Sequence, residues 1–348
     1  MTDNPRSNIA GAPGPNNDIT DVAGIRVGQA QCDTAITGVS VIIPDAPAIC
    51  AGDIRGGGPG TRETDLLDPS TLVETADAIV LSGGSSYGLG AADGVAAWLG
   101  ANGRGFSLVN KDGVPPSPIV PAAILYDLAN GGDKMWGLTP PYRDLGLQAC
   151  NELASPFLQG RAGAGFGASA GAEAGGVGSA SYVLASGLAV GAFMAVNSFG
   201  SVRMPGERAF WAWPFEQNGE FGGMSPAQGP RSIADLPPDT KLAAAARANT
   251  TIGGVATNAK LTQAQAKRVA IMAQDGLARA IRPVHAPTDG DVIFCLATGT
   301  MSAADQTPNV DPLTLTRIGS IAADCVARAI ARGVFEANRT VPNSSSGF

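Results

Sequence analysis

Residues 249–253 read Asn249-Thr250-Thr251-Ile252-Gly253 in a chain of 348 residues. The small and charged residues from 241 to 248 predict an exposed connection, whereas residues 252–257 predict a buried strand. A Thr hydroxyl is a poor nucleophile inside a chain, but at a new N-terminus its own α-amine can accept the proton. A cut between Asn249 and Thr250 would therefore begin a strand with an activated hydroxyl. The alternative is that the two threonines merely open a β-strand, which β-branched residues favour.

The composition predicts an interior built from small side chains. The chain holds 47 Gly, and 44% of its residues are hydrophobic but only 5% aromatic, so backbones can approach one another closely. Its length is within reach of one large α/β domain. A formal net charge of -7 and the lack of a basic run argue against a nucleic-acid partner.

Cysteine and histidine usage bounds the chemistry further. The five Cys are scattered without a CxxC pair, which predicts buried free thiols in a reducing compartment and neither a metal site nor a disulfide framework. His285 is the only histidine, and either it has a capping or structural role, which is the simplest interpretation, or it borders the candidate site. Residues 1–17 predict a disordered lead, and no apolar stretch reaches membrane-spanning length. We expect a cytoplasmic protein with no cofactor, no metal and no membrane partner.

Hydrophobic periodicity predicts alternating strands and helices in a single layered domain over residues 18–348. Thr262 and Gln265 form a capping-box pattern at the start of one helix. Residues 203–248 are rich in Pro and Gly and predict an exposed excursion that ends at the candidate cut. Strands are predicted over 25–30, 38–44, 76–81, 179–196 and 292–297, and helices from the turn at 83–89 to about 100 and over 143–153, 262–281 and 312–338.

Five segments occur together in the order typical of one family of hydrolases. They are Gly83-Gly84-Ser85-Ser86-Tyr87-Gly88-Leu89, Pro121-Ala122-Ala123-Ile124-Leu125-Tyr126-Asp127, residues 163–171, Asn249-Thr250-Thr251-Ile252, and Asp289-Gly290-Asp291 before a strand. In these segments the chain resembles the self-cleaving family of L-aminopeptidase/D-amidase-esterases, β-aminopeptidases and nylon-oligomer (6-aminohexanoate) hydrolases. The resemblance covers roughly residues 18 to 335. It implies an αββα sandwich of the N-terminal-nucleophile-like type, with two sheets between helix layers.

The resemblance implies roles for residues around the candidate cut. Thr250 would be the nucleophile, and cleavage after Asn249 would give an α part (1–249) and a β part (250–348). Thr251 is its nearest rival, but it would have no α-amine of its own. Asn197 would help to form an oxyanion hole, unless it is only part of a turn. Tyr126 would reach the acyl carbonyl or the leaving group, unless it is a packed core residue.

The Asp289-Gly290-Asp291 segment offers two carboxylates before a buried strand. Either carboxylate can orient the amine and hydroxyl of Thr250, as the third member of a triad orients its base. The alternative is an ordinary Asp-Gly turn. An Asp at both positions resembles the nylon-oligomer hydrolases, whereas the β-aminopeptidase branch has a hydroxyl residue and a Glu beside the Gly.

The loop over residues 163–171 would let backbone approach a substrate, and we expect substrate contacts from Gly165 and Ser169 within it and from Tyr126. In the nylon-oligomer hydrolases a Lys follows this loop and belongs to the site. The matching position here is Ala172, which argues against assistance by a lysine at that point. The next residue, Glu173, either meets a substrate ammonium or lies solvated at the surface.

Several functions fit this pattern. The first is a self-processing aminopeptidase that acts on small amino-terminal residues or β-amino acyl groups of a small-molecule amide or short peptide. The second is a nylon-oligomer amidase, and the third is an amino-acid acyltransferase of similar fold. The fourth is a Gly/Ala-rich assembly protein that is never cut. The resemblance also implies a homo-oligomer, a tetramer of cleaved protomers.

Overall fold

The computed structural model describes residues 11–109, 111–227, 236, 239–241, 249–301 and 310–339. Within these ranges the chain forms four α-helices, namely α1 (Ala91–Ala101), α2 (Tyr142–Asn151), α3 (Gln263–Ala280) and α4 (Pro312–Arg339). The strands are β1 (Gly11–Ala12), β2 (Ile25–Cys32), β3 (Thr37–Pro44), β4 (Ala48–Ile54), β5 (Thr61–Arg62), β6 (Thr75–Ala76), β7 (Ile79–Ser82), β8 (Ala122–Ile124), β9 (Leu153–Ala154), β10 (Ser169–Ala170), β11 (Glu173–Ala174), β12 (Gly176–Leu184), β13 (Ala189–Asn197), β14 (Thr250–Thr257) and β15 (Val292–Ala297).

Most of the strands form two mixed sheets. The larger has the order β1-β12-β13-β14-β15-β4-β6, and the smaller has the order β5-β8-β7-β3-β2-β9. Strand β14 lies at the centre of the larger sheet, antiparallel to β13 and parallel to β15. Strands β10 and β11 form a separate hairpin.

The sheets stack between two helix layers. Alternate residues of β15 divide between two cores: Val292, Phe294 and Leu296 pack between the sheets, whereas Ile293 and Cys295 face the layer of α3 and α4. A third core lies between the smaller sheet and the layer of α1 and α2. This arrangement confirms the predicted α/β layered sandwich.

Small residues allow the layers to approach closely, as the composition predicts. A Cβ added to Gly178 of β12 would lie 2.0 Å from the carbonyl oxygen of Ala329 in α4. The central helix α4 therefore rests directly on sheet backbone. All five cysteines are free, and four of them are buried.

Two predictions about irregular segments need correction. Residues 11–17 were predicted as part of a disordered lead, but Gly11–Ala12 pairs with β12 and Asn17 accepts a 2.7 Å hydrogen bond from buried Arg328. Residues 1–10 lie outside the described residues. The predicted exposed excursion is also wrong over 203–221, because Phe210 and Phe221 are buried against α4, whereas residues 222–225 are exposed as predicted. No helix in the described ranges has the length and apolarity needed to cross a membrane.

Candidate active site

The Asn249–Thr250 peptide bond lies buried at the start of β14. Asn249 forms an isolated parallel bridge with Asp289, and its carbonyl oxygen accepts a 3.0 Å hydrogen bond from the Gly290 N–H. The Thr250 hydroxyl donates to the same carbonyl oxygen. Only 5% of Thr250 is exposed. The hydroxyl therefore lies beside the carbonyl it would attack, and a backbone donor already polarises that carbonyl.

The two carboxylates of the Asp-Gly-Asp segment have different partners. Asp291 Oδ1 accepts a 2.7 Å hydrogen bond from the Thr251 N–H, and its Oδ2 lies 2.9 Å from His285 Nδ1. Asp289 Oδ2 accepts from the Ala286 N–H at 2.7 Å, whereas its buried Oδ1 has no hydrogen-bond partner among the described residues. Asp291 thus anchors the start of the β14 backbone through the Thr251 N–H, whereas one oxygen of Asp289 is left without a hydrogen bond among the described residues.

Burial gives Asp289 an acid–base character suited to neutral pH. Burial, and next the charge of Asp291, raise the pKa of the Asp289 carboxyl to about 6. The Ala286 N–H, His285 and Lys241 act in the opposite direction. A carboxyl with a pKa near the working pH can both accept and return a proton efficiently.

Asn197 lies directly opposite Thr250. The two residues are register partners on β13 and β14, so their side chains share the face between the sheets. Asn197 Oδ1 accepts a 3.0 Å hydrogen bond from the Ser169 N–H, and its Nδ2 donates to the Tyr126 carbonyl oxygen at 3.0 Å. Tyr126 therefore meets Asn197 through its backbone, and Ser169 also reaches it through backbone.

Lys241 enters the site from the segment before the candidate cut. Its Nζ lies 3.0 Å from the Asn197 carbonyl oxygen and 3.1 Å from Asn197 Oδ1, and the residue is only 8% exposed. The prediction of an exposed connection is wrong at Lys241, and residues 242–248 lie outside the described residues. Ala172 carries no amine, as the sequence indicated, but a lysine reaches the site from another segment.

The carboxylate after Tyr126 ties the glycine-rich turn to the site. Buried Asp127 accepts hydrogen bonds from the Thr37 hydroxyl at 2.6 Å and from the Gly84 N–H at 2.7 Å. A Cβ at Gly83 would lie 2.2 Å from Asp127 Oδ2, so only glycine fits there. The turn after β7 and the end of β8 are thereby fixed together beside Asn197.

Two predicted substrate-binding residues are engaged elsewhere. A Cβ at Gly165 would lie 2.3 Å from the Val177 N atom, so close packing on β12 already accounts for a glycine at that position. The carboxylate of Glu173 pairs with Arg203 Nε at 2.8 Å and is neither an unpaired acceptor nor a fully solvated one.

Sequence reasoning missed the contributions of Lys241 and the Gly290 N–H, and it left open whether His285 borders the site. Lysines are rare in this chain, which has five, and Lys241 precedes a run of small apolar residues. This was the one faint sequence signal that Lys241 has a function. His285 precedes Asp289 by four residues, and its left-handed backbone (φ 56°) places both its N–H and its ring on Asp291. A backbone donor such as Gly290 N–H leaves no mark in a sequence.

Two stacked sheets between helix layers, with a buried threonine first in a central strand, agree with the class of layered hydrolases that the sequence predicts. The chain belongs to peptidase family S58, whose family model matches residues 17–346. The predicted family is therefore confirmed, and the protein is a hydrolase of the aminopeptidase or amidase kind.

Individual relatives support the same assignment. An uncharacterized aminopeptidase of Mycobacterium tuberculosis is 44% identical over 336 residues, which cover 92% of this chain and 94% of the relative. The 6-aminohexanoate-oligomer endohydrolase of Kocuria sp. (strain KY2) is 30% identical over 333 residues, which cover 89% of this chain and 84% of the relative.

Solved structures share the fold. The L-aminopeptidase D-Ala-esterase/amidase of Ochrobactrum anthropi, described as a variant of the Ntn hydrolase fold, matches with a TM-score of 0.67 at 20% identity, over 95% of this chain and 89% of that chain. A Burkholderia sp. β-aminopeptidase matches with a TM-score of 0.65 at 24% identity, over 93% of this chain and 88% of that chain.

Proposed function

We propose that this chain cuts itself between Asn249 and Thr250 and then hydrolyses amides with the new N-terminal threonine. The observation that carries the proposal is the environment of one carbonyl. The Asn249 carbonyl oxygen accepts from both the Thr250 hydroxyl and the Gly290 N–H. Nucleophile, electrophile and an oxyanion donor thus meet at one buried peptide bond.

The processing step is an N→O acyl shift. Thr250 Oγ1 forms a bond to the Asn249 carbonyl carbon, Asp289 takes the hydroxyl proton, and the bond from that carbon to the Thr250 nitrogen breaks. The nitrogen receives the proton and becomes an amine. Water then hydrolyses the ester, which leaves a carboxylate on Asn249 and restores the Thr250 hydroxyl.

Turnover uses the same hydroxyl. The freed α-amine of Thr250, with an ordinary pKa of about 8, acts as general base and later protonates the leaving amine. The Asn197 amide, opposite Thr250, stabilises the oxyanion of the tetrahedral intermediate. Asp291 holds the Thr251 N–H, so the new N-terminus stays in place after the cut.

The proposed substrates are small peptides or amino-acyl amides with a free amine. Buried carboxylates at Asp289 and Asp291 suit a site that receives an ammonium group. The higher identity to an uncharacterized aminopeptidase, 44% against 30% for the 6-aminohexanoate-oligomer endohydrolase, favours aminopeptidase activity. The Asp at both positions of the Asp-Gly-Asp segment keeps hydrolysis of 6-aminohexanoate oligomers as the second candidate.

We also propose the tetramer of cleaved protomers, which light scattering tests.

Gel electrophoresis and N-terminal sequencing test the processing step. The purified protein should run as two bands of about 25 and about 10 kDa, masses scaled from the cut position, and the smaller should begin at Thr250. Thr250→Ala should remain one band and lack amidase activity, whereas the matched variant Thr251→Ala should still be cut. A Thr250→Ala protein that splits normally would refute the proposal.

A substrate panel separates the candidate activities. We expect hydrolysis of α- or β-amino acyl anilides to exceed that of D-amino acyl anilides and 6-aminohexanoate oligomers. Adding a second amine acceptor to an acyl-amino acid distinguishes hydrolysis from acyl transfer, because only transfer yields a new acylated amine.

A further inference from the structure

Residues 239–241 are anchored to the body of the protein upstream of the candidate cut. The Asp239 carbonyl oxygen accepts a 3.0 Å hydrogen bond from the Ala172 N–H, and its carboxylate accepts one from Ser201 Oγ at 2.9 Å. The Lys241 N–H donates to the Phe199 carbonyl oxygen at 3.1 Å. None of these bonds involves residues 249–250, so a cut there leaves them intact.

The ammonium of Lys241 acts on the Asn197 side chain. Asn197 Oδ1 receives two donors, Lys241 Nζ at 3.1 Å and the Ser169 N–H at 3.0 Å. A lysine ammonium has only donors, so a reversed Asn197 amide would place its NH₂ group against two donors and lose both bonds. The pair therefore fixes Nδ2 on the opposite side, where it donates to the Tyr126 carbonyl oxygen.

The position of Lys241 is electrostatically unusual. Burial lowers the pKa of its ammonium to about 7, and the facing charge of Asp289 partly offsets this effect. An ammonium is rarely buried without a partner because desolvation is costly. Its two bonds to one asparagine at the candidate nucleophile indicate a function beyond packing.

We propose that Lys241 is a positioning residue of the active site, which holds Asn197 in the orientation needed to stabilise the oxyanion at Thr250. This inference rests on the proposed function, because Asn197 is useful only if chemistry occurs at Thr250. Lys241 would serve the self-cleavage and, since its anchors survive the cut, also every later turnover. The C-terminal end of the α part is then a component of the mature site.

Matched lysine substitutions test this role. Lys241→Met keeps the unbranched side chain to within one atom of its length and removes its charge and donors, and should slow both self-cleavage and kcat for an amino-acyl anilide by about 10- to 100-fold. KM should change little, since the loss falls on the transition state. Lys260→Met, at an exposed position, is the control and should match the wild type. Wild-type rates in Lys241→Met, or faster ones, would overturn the inference.

Chemical rescue separates positioning from folding. n-Butylammonium chloride, which matches the deleted side chain, should restore part of the activity of Lys241→Gly, whereas tetramethylammonium chloride, which carries charge but no N–H donor, should not. If Lys241→Met lacks the native circular dichroism spectrum, the activities of Lys241→Gly and Lys241→Arg test the positioning role instead. A folded Lys241→Gly that n-butylammonium fails to rescue, together with an inactive Lys241→Arg, would count against the role.

The outcomes distinguish this inference from the proposed function. A wild-type protein that neither cuts itself nor hydrolyses amides would remove the proposed function. Activity that depends on Thr250 but not on Lys241 would remove only the positioning role.

Discussion

Replacing Gly290 with alanine would place a methyl group against the candidate nucleophile. The added Cβ would lie 2.8 Å from Thr250 Oγ1 and 3.0 Å from the Gly58 carbonyl oxygen. Ordinary contact begins at 3.4 Å, so the hydroxyl would have to move by about 0.6 Å, the difference between 3.4 and 2.8 Å. Overpacking of this kind costs about 1–3 kcal/mol of folding free energy. A shift near 1 Å in a reacting group can slow chemistry about 100-fold, so we expect self-cleavage to slow by about 10- to 100-fold.

A time course on a denaturing gel measures this effect, with circular dichroism as the test of folding. Gly58→Ala is the matched control, because its added Cβ would meet its nearest atoms at 3.7 Å. Both variants keep the backbone N–H groups that hold Asn249 and Asp289. A folded Gly290→Ala protein that cuts itself at the wild-type rate would refute the proposed geometry at Thr250. If Gly58→Ala slowed self-cleavage to the same extent, the slowing would not be specific to contact with the Thr250 hydroxyl.

Two further predictions concern buried charge. Arg328→Met removes the nearer of two arginines that pair with Glu220, whose side chain is 6% exposed and whose carboxylate lies 2.6 Å from Arg328 Nε and 3.6 Å from Arg332 Nε, and should lower the free energy of unfolding in a urea titration by about 3 kcal/mol. Arg339→Met, at a side chain 63% exposed, should cost less than about 1 kcal/mol in the same titration, and equal losses would contradict this reasoning. Self-cleavage should accelerate as pH rises through about 6, because burial and Asp291 raise the pKa of Asp289 to about 6 and only its carboxylate accepts a proton. Gel time courses from acid to neutral pH measure the rise, which Asp289→Asn should abolish; a flat wild-type profile would argue against Asp289 as the base.

The regular elements follow from local patterns. Strand β15 matches the apolar run at 292–297, and α3 begins after the capping box in which Thr262 and Gln265 satisfy each other's backbone N–H groups. The apolar segment 179–196 is instead two strands, because Gly187 adopts a positive φ of 82° in a tight turn between them. Apolar content alone does not mark such a reversal.

The site was predictable only in part. The Asn249–Thr250 bond and the Asp-Gly-Asp segment are local in sequence, so motif order alone predicts them as candidate site residues. The pairing of Asn197 with Thr250 depends on β13 and β14 being neighbours in register, which is a property of the whole sheet. Lys241 was missed for the same reason, since its segment is held by hydrogen bonds from the Lys241 N–H to Phe199 and from the Ala172 N–H to Asp239, which no local pattern encodes.

The central position of β14 decides how firmly the two parts of a cut chain would be held together. Residues 250–348 supply β14, β15, α3 and α4, while residues 1–249 supply the strands on either side of that pair. The core beneath α1 and α2 lies wholly within residues 1–249, but the core beneath α3 and α4 is shared across the divide, since Val190, Val255 and Ile330 belong to one cluster. The fragments would therefore form a permanent heterodimer that separates only on unfolding. Genes encoding them separately should give insoluble products unless the two chains meet while folding.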